Sequence, residues 1–417
     1  MVLADHGAVI PSRREAFRYW LRLGLISFGG PIAQVAIMHR ELVEERRWVD
    51  ERTYLNALNL VILLPGPEAL QLAIWLGWRL HGVMGGVVAG LCFLVPSVFL
   101  LLALSFLYAV HGDVPLVAAA ILGLKATAIA LIVQAVVRIS GRALKKPLHW
   151  LLAGVAFVLM VGKFAPFPLV VAGAAVVGLL LKRQEASPPP TANRGAVTFP
   201  WRTLATGFVL WAIPAIAVLQ LAGPDSVFAE IYRFFTTAAL VTFGGAYAIL
   251  AWVNQQAVDV YGWLTQADAV AGLALAETTP GPLIIVLQFV GFMAGWNQPG
   301  TLQPGVSATI ASMLASWAIF LPSFVFILVG APYGDRLASN PRIAAALACM
   351  TAAVAGVIGS LAIAFGRNIL FPTGFAAPEW NAIAIAAAAL ALLQWSRIDA
   401  IWIIIGGAVA GLALGFV

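Results

Sequence analysis

The chain has 417 residues, of which 62% are hydrophobic and only 10% are charged, and its net charge is +6 at pH 7. Soluble domains carry about 25% charged residues, so this chain lacks the polar side chains that cover a soluble surface. The composition predicts an integral membrane protein. Its Lys and Arg residues lie in short loops between apolar segments, which is typical of cytoplasmic loops and does not indicate nucleic-acid binding.

The first apolar segments of the chain are too short to cross a bilayer. Each has about 14 residues or fewer, which as helix is about 21 Å, whereas a spanning helix needs about 20 residues. Basic residues flank both ends of each pair of segments, so we expect two re-entrant helical hairpins with tips at Gly29-Gly30-Pro31 and Pro65-Gly66-Pro67. The segments are residues 17–30 paired with 31–45, and 53–64 paired with 67–80.

Longer apolar segments follow and predict spanning helices. A Pro-rich linker at 184–202 and one connecting transmembrane helix at 203–222 separate the two halves of the chain. Shorter apolar pairs close each half, at 148–162 with 165–181 and at 381–395 with 400–416. The segments long enough to span are 83–110, 116–138, 306–330 and 342–365.

An internal duplication relates residues 12–183 to residues 228–417. Four matches share a single offset of 215 residues, which chance does not readily explain, and a fifth match follows at an offset of 226. The matches at 215 are Ser27-Phe28-Gly29-Gly30 with Thr242-Phe243-Gly244-Gly245, Pro65-Gly66-Pro67 with Pro280-Gly281-Pro282, Trp48 with Trp263, and Arg18 with Arg233; the fifth is Leu94-Val95-Pro96-Ser97 with Phe320-Leu321-Pro322-Ser323.

Loop charge predicts that the two halves have opposite orientations. The loop at 40–52 contains four arginines, and its counterpart at 255–267 contains no Lys or Arg. The bias is reversed for the loop at 111–115 and its counterpart at 331–342, and a third pair of loops agrees. Basic loops stay in the cytoplasm, so we expect an all-α membrane protein with two inverted-topology repeats and a site at their interface near the bilayer midplane.

The hairpin tips suit an anion. Their glycines leave backbone N–H groups accessible, and helix starts at the tips are positive ends of helix dipoles. Hydroxyl groups beside the tips are expected to add hydrogen-bond donors. The predicted substrate-binding residues are Arg22, Ser27, Gly29, Gly30, Pro65, Gly66, Pro67, Gln71, Lys125, Thr242, Gly244, Gly245, Thr278, Thr279, Pro280 and Gly281.

Charged side chains inside apolar segments cost about 2.5 kcal/mol or more, so they are functional candidates. We expect Arg22 and Lys125 to hold a dianion, and Glu68 and Glu277 to carry protons or to balance those bases. Structural alternatives stay open: Glu68 can cap a helix start, Lys125 can form a structural ion pair, and glycine and proline at the tips can serve helix packing.

Five stretches carry a family resemblance that covers nearly the whole chain. They are FRYWLRLGLISFGGP at 17–31, HRELVEERRWVDERTY at 39–54, LLPGPEALQLAIWLGWRLHG at 63–82, FTTAALVTFGGAYAIL at 235–250 and AETTPGPLIIVLQFVGF at 276–292. With these stretches the chain resembles the chromate ion transporter (CHR) family in its long two-domain form. The resemblance implies chromate export and chromate resistance, with sulfate as the close chemical analogue.

Energetics favour export of such a cargo. A potential of about 100 mV, negative inside, drives each negative charge outward by about 2.3 kcal/mol, so a dianion needs little coupling to leave. Sulfate uptake or transport of another small anion stays open. A membrane-embedded enzyme needs a nucleophile–base pair or metal ligands at membrane depth, and it is disfavoured because the sequence has no His in a membrane-spanning core position and no carboxylate-rich metal motif. We therefore expect a non-enzymatic, multi-pass protein of the bacterial inner membrane, without cofactor or metal and in contact with lipid; a homodimer is left open.

Overall fold

The computed structural model describes residues 10–181, 199–243, 245–331, 341–396 and 398–414. Within these ranges the regular secondary structure is helical and no β-strand occurs, as expected for an all-α membrane protein. The helices are α1 (Arg13–Ile26), α2 (Gly30–His39), α3 (Glu51–Leu63), α4 (Glu68–His111), α5 (Pro115–Ala143), α6 (Pro147–Val161), α7 (Phe167–Leu180), α8 (Trp201–Leu221), α9 (Val227–Val241), α10 (Ala246–Gln255), α11 (Gln266–Glu277), α12 (Val286–Asn297), α13 (Pro304–Gly330), α14 (Pro341–Leu370), α15 (Trp380–Trp395) and α16 (Ala400–Leu414).

Five of the described helices are long and apolar enough to cross a membrane. They are α4, α5, α8, α13 and α14. The length of α4 includes a break, because the backbone of His81 and Gly82 is not helical and Gly82 has a φ of 64°. This break lies between the predicted segments 67–80 and 83–110, which therefore form two differently directed parts of α4.

The second half follows the helix order of the first. Helices α1, α2 and α3 correspond in order and in offset to α9, α10 and α11, and a π-helical turn follows both α2 and α10. The parts of α4 before and after Gly82 correspond to α12 and α13. Helix α8 lies between the halves and has no counterpart among the described helices of either half. The order is compatible with the predicted duplication, while the opposite orientation of the halves stays a prediction.

Packing between the halves is reciprocal. Helix α5 packs against α15 and α16 at the end of the chain, while α14 packs against α6 and α7 at the end of the first half. Helices α5 and α14 also contact each other, as do α4 and α13. One cluster of buried apolar side chains includes residues from both halves. The two halves therefore form a shared core and do not pack as separate units.

Small residues set the closest of these contacts. A Cβ atom on Gly123 of α5 would lie 2.0 Å from the carbonyl oxygen of Gly407 on α16. A Cβ atom on Gly356 of α14 would lie 2.0 Å from the carbonyl oxygen of Ala153 on α6. Helices in lipid associate through close backbone contact at small residues, because lipid gives no hydrophobic driving force between them. These glycines hold the reciprocal helix pairs together.

Candidate functional site

Two kinds of helix start occur in the described chain. At α1, α3, α9 and α11 a side chain caps the first turn: Ser12, Asp50, Ser226 and Thr265 each accept a hydrogen bond from a backbone N–H of that turn. At α2, α4 and α10 no side chain caps the first turn, because the residue before the helix is Gly29, Pro67 or Gly245. Uncapped starts also occur elsewhere in the described chain, for example at α5 and α13, but these three follow the predicted tips, and no side chain occupies the amides of their first turn.

The turns of the two halves exchange hydrogen bonds. The backbone N–H of Gly281 donates to the carbonyl oxygen of Ser27 at 2.9 Å, and the N–H of Gly66 donates to the carbonyl oxygen of Thr242 at 2.8 Å. Ser27 and Thr242 are equivalent in the predicted duplication, and so are Gly66 and Gly281. Each Pro-Gly-Pro turn thus binds the glycine-rich turn of the opposite half, and two of the predicted amide donors are already engaged.

A serine from the opposite half lies behind each Pro-Gly-Pro turn. A Cβ atom on Gly66 would lie 2.6 Å from Oγ of Ser323, and a Cβ atom on Gly281 would lie 2.7 Å from Oγ of Ser97. Both glycines have positive φ, 133° and 101° respectively. A side chain at either position is therefore excluded by backbone strain and by lack of space.

A small pocket lies where the turn at Ser27 meets the turn at Gly281. The space open to the centre of a water-sized sphere is about 10 Å³, which is room for about one water molecule. Six of its eight lining residues belong to the predicted site. These six are Ser27, Gly29, Gly30, Glu277, Thr279 and Gly281.

The hydroxyl groups beside the turns do not donate into this pocket. Ser27 donates to the carbonyl oxygen of Leu23 at 2.6 Å, and Thr279 donates to the carbonyl oxygen of Leu275 at 3.0 Å. Thr242 and Thr278 likewise donate to carbonyl oxygens of the preceding helical turn. A hydroxyl has one hydrogen, so these groups offer only lone pairs to a ligand. The donors left to an anion are the backbone amides at the start of α2.

Glu277 is the one carboxyl group among the residues that line this pocket. Its side chain is buried, and one carboxylate oxygen accepts a hydrogen bond of 2.5 Å from the Tyr247 hydroxyl on α10. Glu68 lies at the first position of α4, after the other Pro-Gly-Pro turn, and does not line the pocket. The two candidate proton carriers therefore lie at different turns.

Gln34 contacts both turns of the candidate site and is absent from the residues predicted from sequence. Its Nε2 donates both to the Ser27 carbonyl oxygen at 3.0 Å and to the Gly281 carbonyl oxygen at 2.6 Å. The side chain is buried, and its Oε1 has no hydrogen-bond partner in the described part of the chain. Gln71 behaves similarly at the other crossing, where its Nε2 donates to the Pro65 carbonyl oxygen at 2.7 Å.

Arg22 and Lys125 do not line the pocket. The Arg22 side chain is 58% exposed and forms an ion pair of 3.5 Å with Glu41. Lys125 is half-buried in the middle of α5, where the charge of Asp268 at the start of α11 acts on it. The site role of these two bases stays a prediction, and Gly244 of the predicted set lies outside the described residues.

In the part of the chain that the structure describes, no group of three or more His, Cys, Asp or Glu side chains is arranged to hold a metal ion. Cys92 and Cys349 are both buried and unbonded to each other. The chemistry of the pocket therefore comes from backbone amides, lone pairs and one carboxyl group.

Comparison with known proteins decides the family. The family model described as "Chromate transporter" matches residues 14–179 and residues 229–412. The chain belongs to the chromate transporter family. The two matched ranges lie on either side of α8, and they contain the crossing turns at Ser27, Gly66, Thr242 and Gly281.

Curated relatives of this chromate transporter family member carry matching names. The "Chromate transport protein" of Pseudomonas aeruginosa is 34% identical over 95% of this chain and 91% of its own length. The "Probable chromate transport protein" of Synechococcus elongatus is 32% identical over 86% of each chain. The "Chromate transport protein" of Cupriavidus metallidurans is 28% identical over 98% of this chain and 94% of its own length. No solved structure matches the chain.

Membership in the family supports chromate transport and a multi-pass membrane location, in agreement with the five apolar helices. It points away from an enzyme. The resemblance found from sequence motifs is therefore confirmed. The direction of transport and the residues that bind the anion do not follow from the family alone.

Proposed function

We propose that this chromate transporter exports chromate across the bacterial inner membrane and so confers chromate resistance. The observation that carries the proposal is the pocket between the turns at Ser27 and Gly281, which is lined by the uncapped start of α2 at Gly29 and Gly30. An uncapped helix start combines free N–H groups with the positive end of a helix dipole, and this combination binds oxyanions. The dianion would bind there.

The pocket must widen to admit a tetrahedral oxyanion. The space that it leaves is about that of one water molecule, whereas chromate has five heavy atoms. The two turns that line the pocket are joined by the hydrogen bond from the Gly281 N–H to the Ser27 carbonyl oxygen. Gln34 strengthens this connection, because its Nε2 donates to the Gly281 carbonyl oxygen. We infer that anion entry separates these two turns, and that the structure represents a closed state of the site.

Side-chain contacts between the halves support inverted repeats. Lys163, in the loop between α6 and α7, forms an ion pair of 2.6 Å with Asp259 of the second half. Tyr108, near the end of α4, donates a hydrogen bond of 2.6 Å to Asp268 at the start of α11. The Tyr108 contact places the start of α11, which follows the second-half loop that lacks basic residues, near the end of α4 and the non-basic loop at 111–115. Inverted repeats predict that these two loops share one side of the membrane.

The charge of the anion favours outward transport. At a potential of about 100 mV, negative inside, each negative charge gains about 2.3 kcal/mol on leaving the cytoplasm. A dianion gains about twice that value. Export therefore runs down the electrical gradient, and accumulation of the dianion inside the cell would require coupling to another ion.

Anion flux in proteoliposomes tests this proposal, with the potential clamped at each sign. We expect chromate to leave a negative compartment faster than a positive one, and sulfate to compete with it. Cells that carry the gene should accumulate less chromate and grow at higher chromate concentrations than cells that lack it. Faster accumulation together with lost protection would contradict export, and sulfate flux without chromate flux would indicate a sulfate transporter.

A further inference from the structure

The pocket beside Ser27 is lined by two residues, Ser27 and Thr279, whose hydroxyl groups have no function in the proposed anion site. The hydrogens of Ser27 Oγ and Thr279 Oγ1 are donated to helix carbonyl oxygens at 2.6 Å and 3.0 Å. What each hydroxyl can still offer to a ligand is a lone pair, which binds a cation or a donor and repels an anion. This part of the pocket is therefore suited to positive charge.

Glu277 adds a carboxyl group to the same wall. It is 7% exposed, accepts one hydrogen bond from Tyr247, and forms no ion pair with a Lys or Arg in the described part of the chain. Arg138 on α5 acts through its charge on Tyr247, without an ion pair to Glu277. A buried carboxylate without a balancing charge is strongly unfavourable, so ionised Glu277 requires a positive charge from a ligand.

Helix ends strengthen the negative character of this wall. Helix α1 ends at Ile26 and α11 ends at Glu277, so the negative ends of two helix dipoles meet at the pocket. Gln34, which is 1% exposed, bonds to two carbonyl oxygens of the lining turns, and its Oε1 has no hydrogen-bond partner among the described residues. In transporters with broken helices, such C-terminal ends and unwound carbonyl groups bind the coupling cation, while helix starts bind the anion.

Size selects among cations. The pocket has room for the centre of about one water-sized sphere, about 10 Å³, which suits a small ion that has lost its water. One carboxylate balances one positive charge. The lone pairs of two hydroxyls would be superfluous for a proton, which needs only the carboxyl oxygen, whereas a metal cation uses several oxygen ligands.

We propose that Glu277, Ser27 and Thr279 form a binding site for one small monovalent cation of the size of Na⁺. The site deepens the proposed function, on which its role rests, because a cation at Glu277 neutralises the charge that would repel a dianion from the start of α2. Binding of the two ions is then coupled, and the coupling is reciprocal: Na⁺ raises the affinity for chromate, and chromate raises the affinity for Na⁺.

Thermal unfolding of the purified protein tests the cation site without any cargo. A cation that binds only the folded state raises the unfolding temperature as its concentration increases. We expect NaCl to raise it and to saturate, at constant ionic strength maintained with choline chloride, and KCl to act more weakly. Glu277→Gln should abolish the response, while the same acid-to-amide change at Glu379, outside the pocket, should leave it intact.

A pair of adjacent threonines supplies a second test that keeps the charge of Glu277. Thr278 and Thr279 both donate to the Leu275 carbonyl oxygen, but of the two it is Thr279 that lines the pocket. Thr279→Val should raise the half-saturating Na⁺ concentration about tenfold, as expected for a lost ligand of about 1.4 kcal/mol. Thr278→Val should leave that concentration unchanged.

Three results would overturn the cation site. They are an unfolding temperature that follows pH but not Na⁺, an equal response to Na⁺ and choline, and an equal effect of the two threonine substitutions. Chromate flux separates this proposal from the function. Na⁺ binding without chromate flux would refute the cargo and keep the site, and chromate flux without Na⁺ binding would refute the site alone.

Discussion

The backbone N–H of Gly281 donates a hydrogen bond of 2.9 Å to the carbonyl oxygen of Ser27 and so joins the second half of the chain to the first. The equivalent residues, Gly66 and Thr242, form the equivalent bond at 2.8 Å. Each half therefore holds a turn of the other at the centre of the molecule. Any movement that opens the pocket at one crossing has to break such a bond or move turns of both halves together.

Gly281→Ala should impair the protein more than Gly30→Ala. Both glycines have positive φ, which costs an alanine about 1–2 kcal/mol. At Gly281 the new Cβ would also lie 2.7 Å from Ser97 Oγ, whereas at Gly30 it would meet no atom within 4 Å. We expect a larger loss of unfolding temperature and of chromate flux for Gly281→Ala. Addition of Ser97→Gly should recover part of that loss, and failure to recover any would show that strain alone is responsible.

Gln34→Leu should separate the crossing turns. The change removes two hydrogen bonds, to the carbonyl oxygens of Ser27 and Gly281, and leaves these buried acceptors with one partner fewer. Each buried group that loses a partner costs about 1–3 kcal/mol, so chromate flux and unfolding temperature should both fall. Gln134→Leu is the matched control, because Gln134 also donates to a carbonyl oxygen, that of Leu393, in contacts outside the crossing. Equal flux in the two variants would argue against a role for Gln34 in the site.

The duplication predicts which residues are equivalent but not which residues touch. The offset of 215 residues makes Gly66 and Gly281 equivalent, and both indeed have positive φ and donate to an opposing turn. The exchange of partners between the halves depends on how α4 packs against α13, which places Ser97 and Ser323 behind the turns. Packing of this kind is set by contacts distant in sequence, and no local pattern encodes it.

Local sequence patterns can identify some of the remaining residues of the candidate site. Gln34 is a single amide side chain in an apolar helix that follows a proline-containing tip, and Gln71 has the same position after the other tip. This shared pattern is a sequence signal for Gln34. Tyr247 has no comparable signal, because an aromatic residue near a membrane helix start is common and its bond to Glu277 spans 30 residues. The sequence predicts the hydroxyl groups as donors, because it does not reveal that carbonyl oxygens of the preceding helical turn accept their hydrogens.

Lys125→Ala should lower chromate flux more than Lys163→Ala. Lys125 is half-buried in α5 with the charge of Asp268 acting on it, whereas the Lys163 side chain is 59% exposed and pairs with Asp259. Exposed ion pairs contribute about 0–1 kcal/mol to stability, so loss of the Lys163–Asp259 pair should change chromate flux very little. Flux and unfolding temperature should be measured together. A fall in unfolding temperature without a change in chromate affinity would identify Lys125 as a structural partner of Asp268.

Two glycines of α5 should respond to alanine with opposite signs. At Gly123 a Cβ atom would lie 2.0 Å from the Gly407 carbonyl oxygen, so Gly123→Ala must push α5 away from α16. At Gly141, which is exposed, a Cβ atom meets nothing within 4 Å, and alanine is favoured over glycine in a helix by about 1 kcal/mol. We expect the unfolding temperature to fall for Gly123→Ala and to rise slightly for Gly141→Ala. Because α16 belongs to the second half, the lower unfolding temperature of Gly123→Ala would report on the packing between the two halves. An unchanged unfolding temperature for Gly123→Ala would mean that α5 and α16 are not in close contact in the membrane.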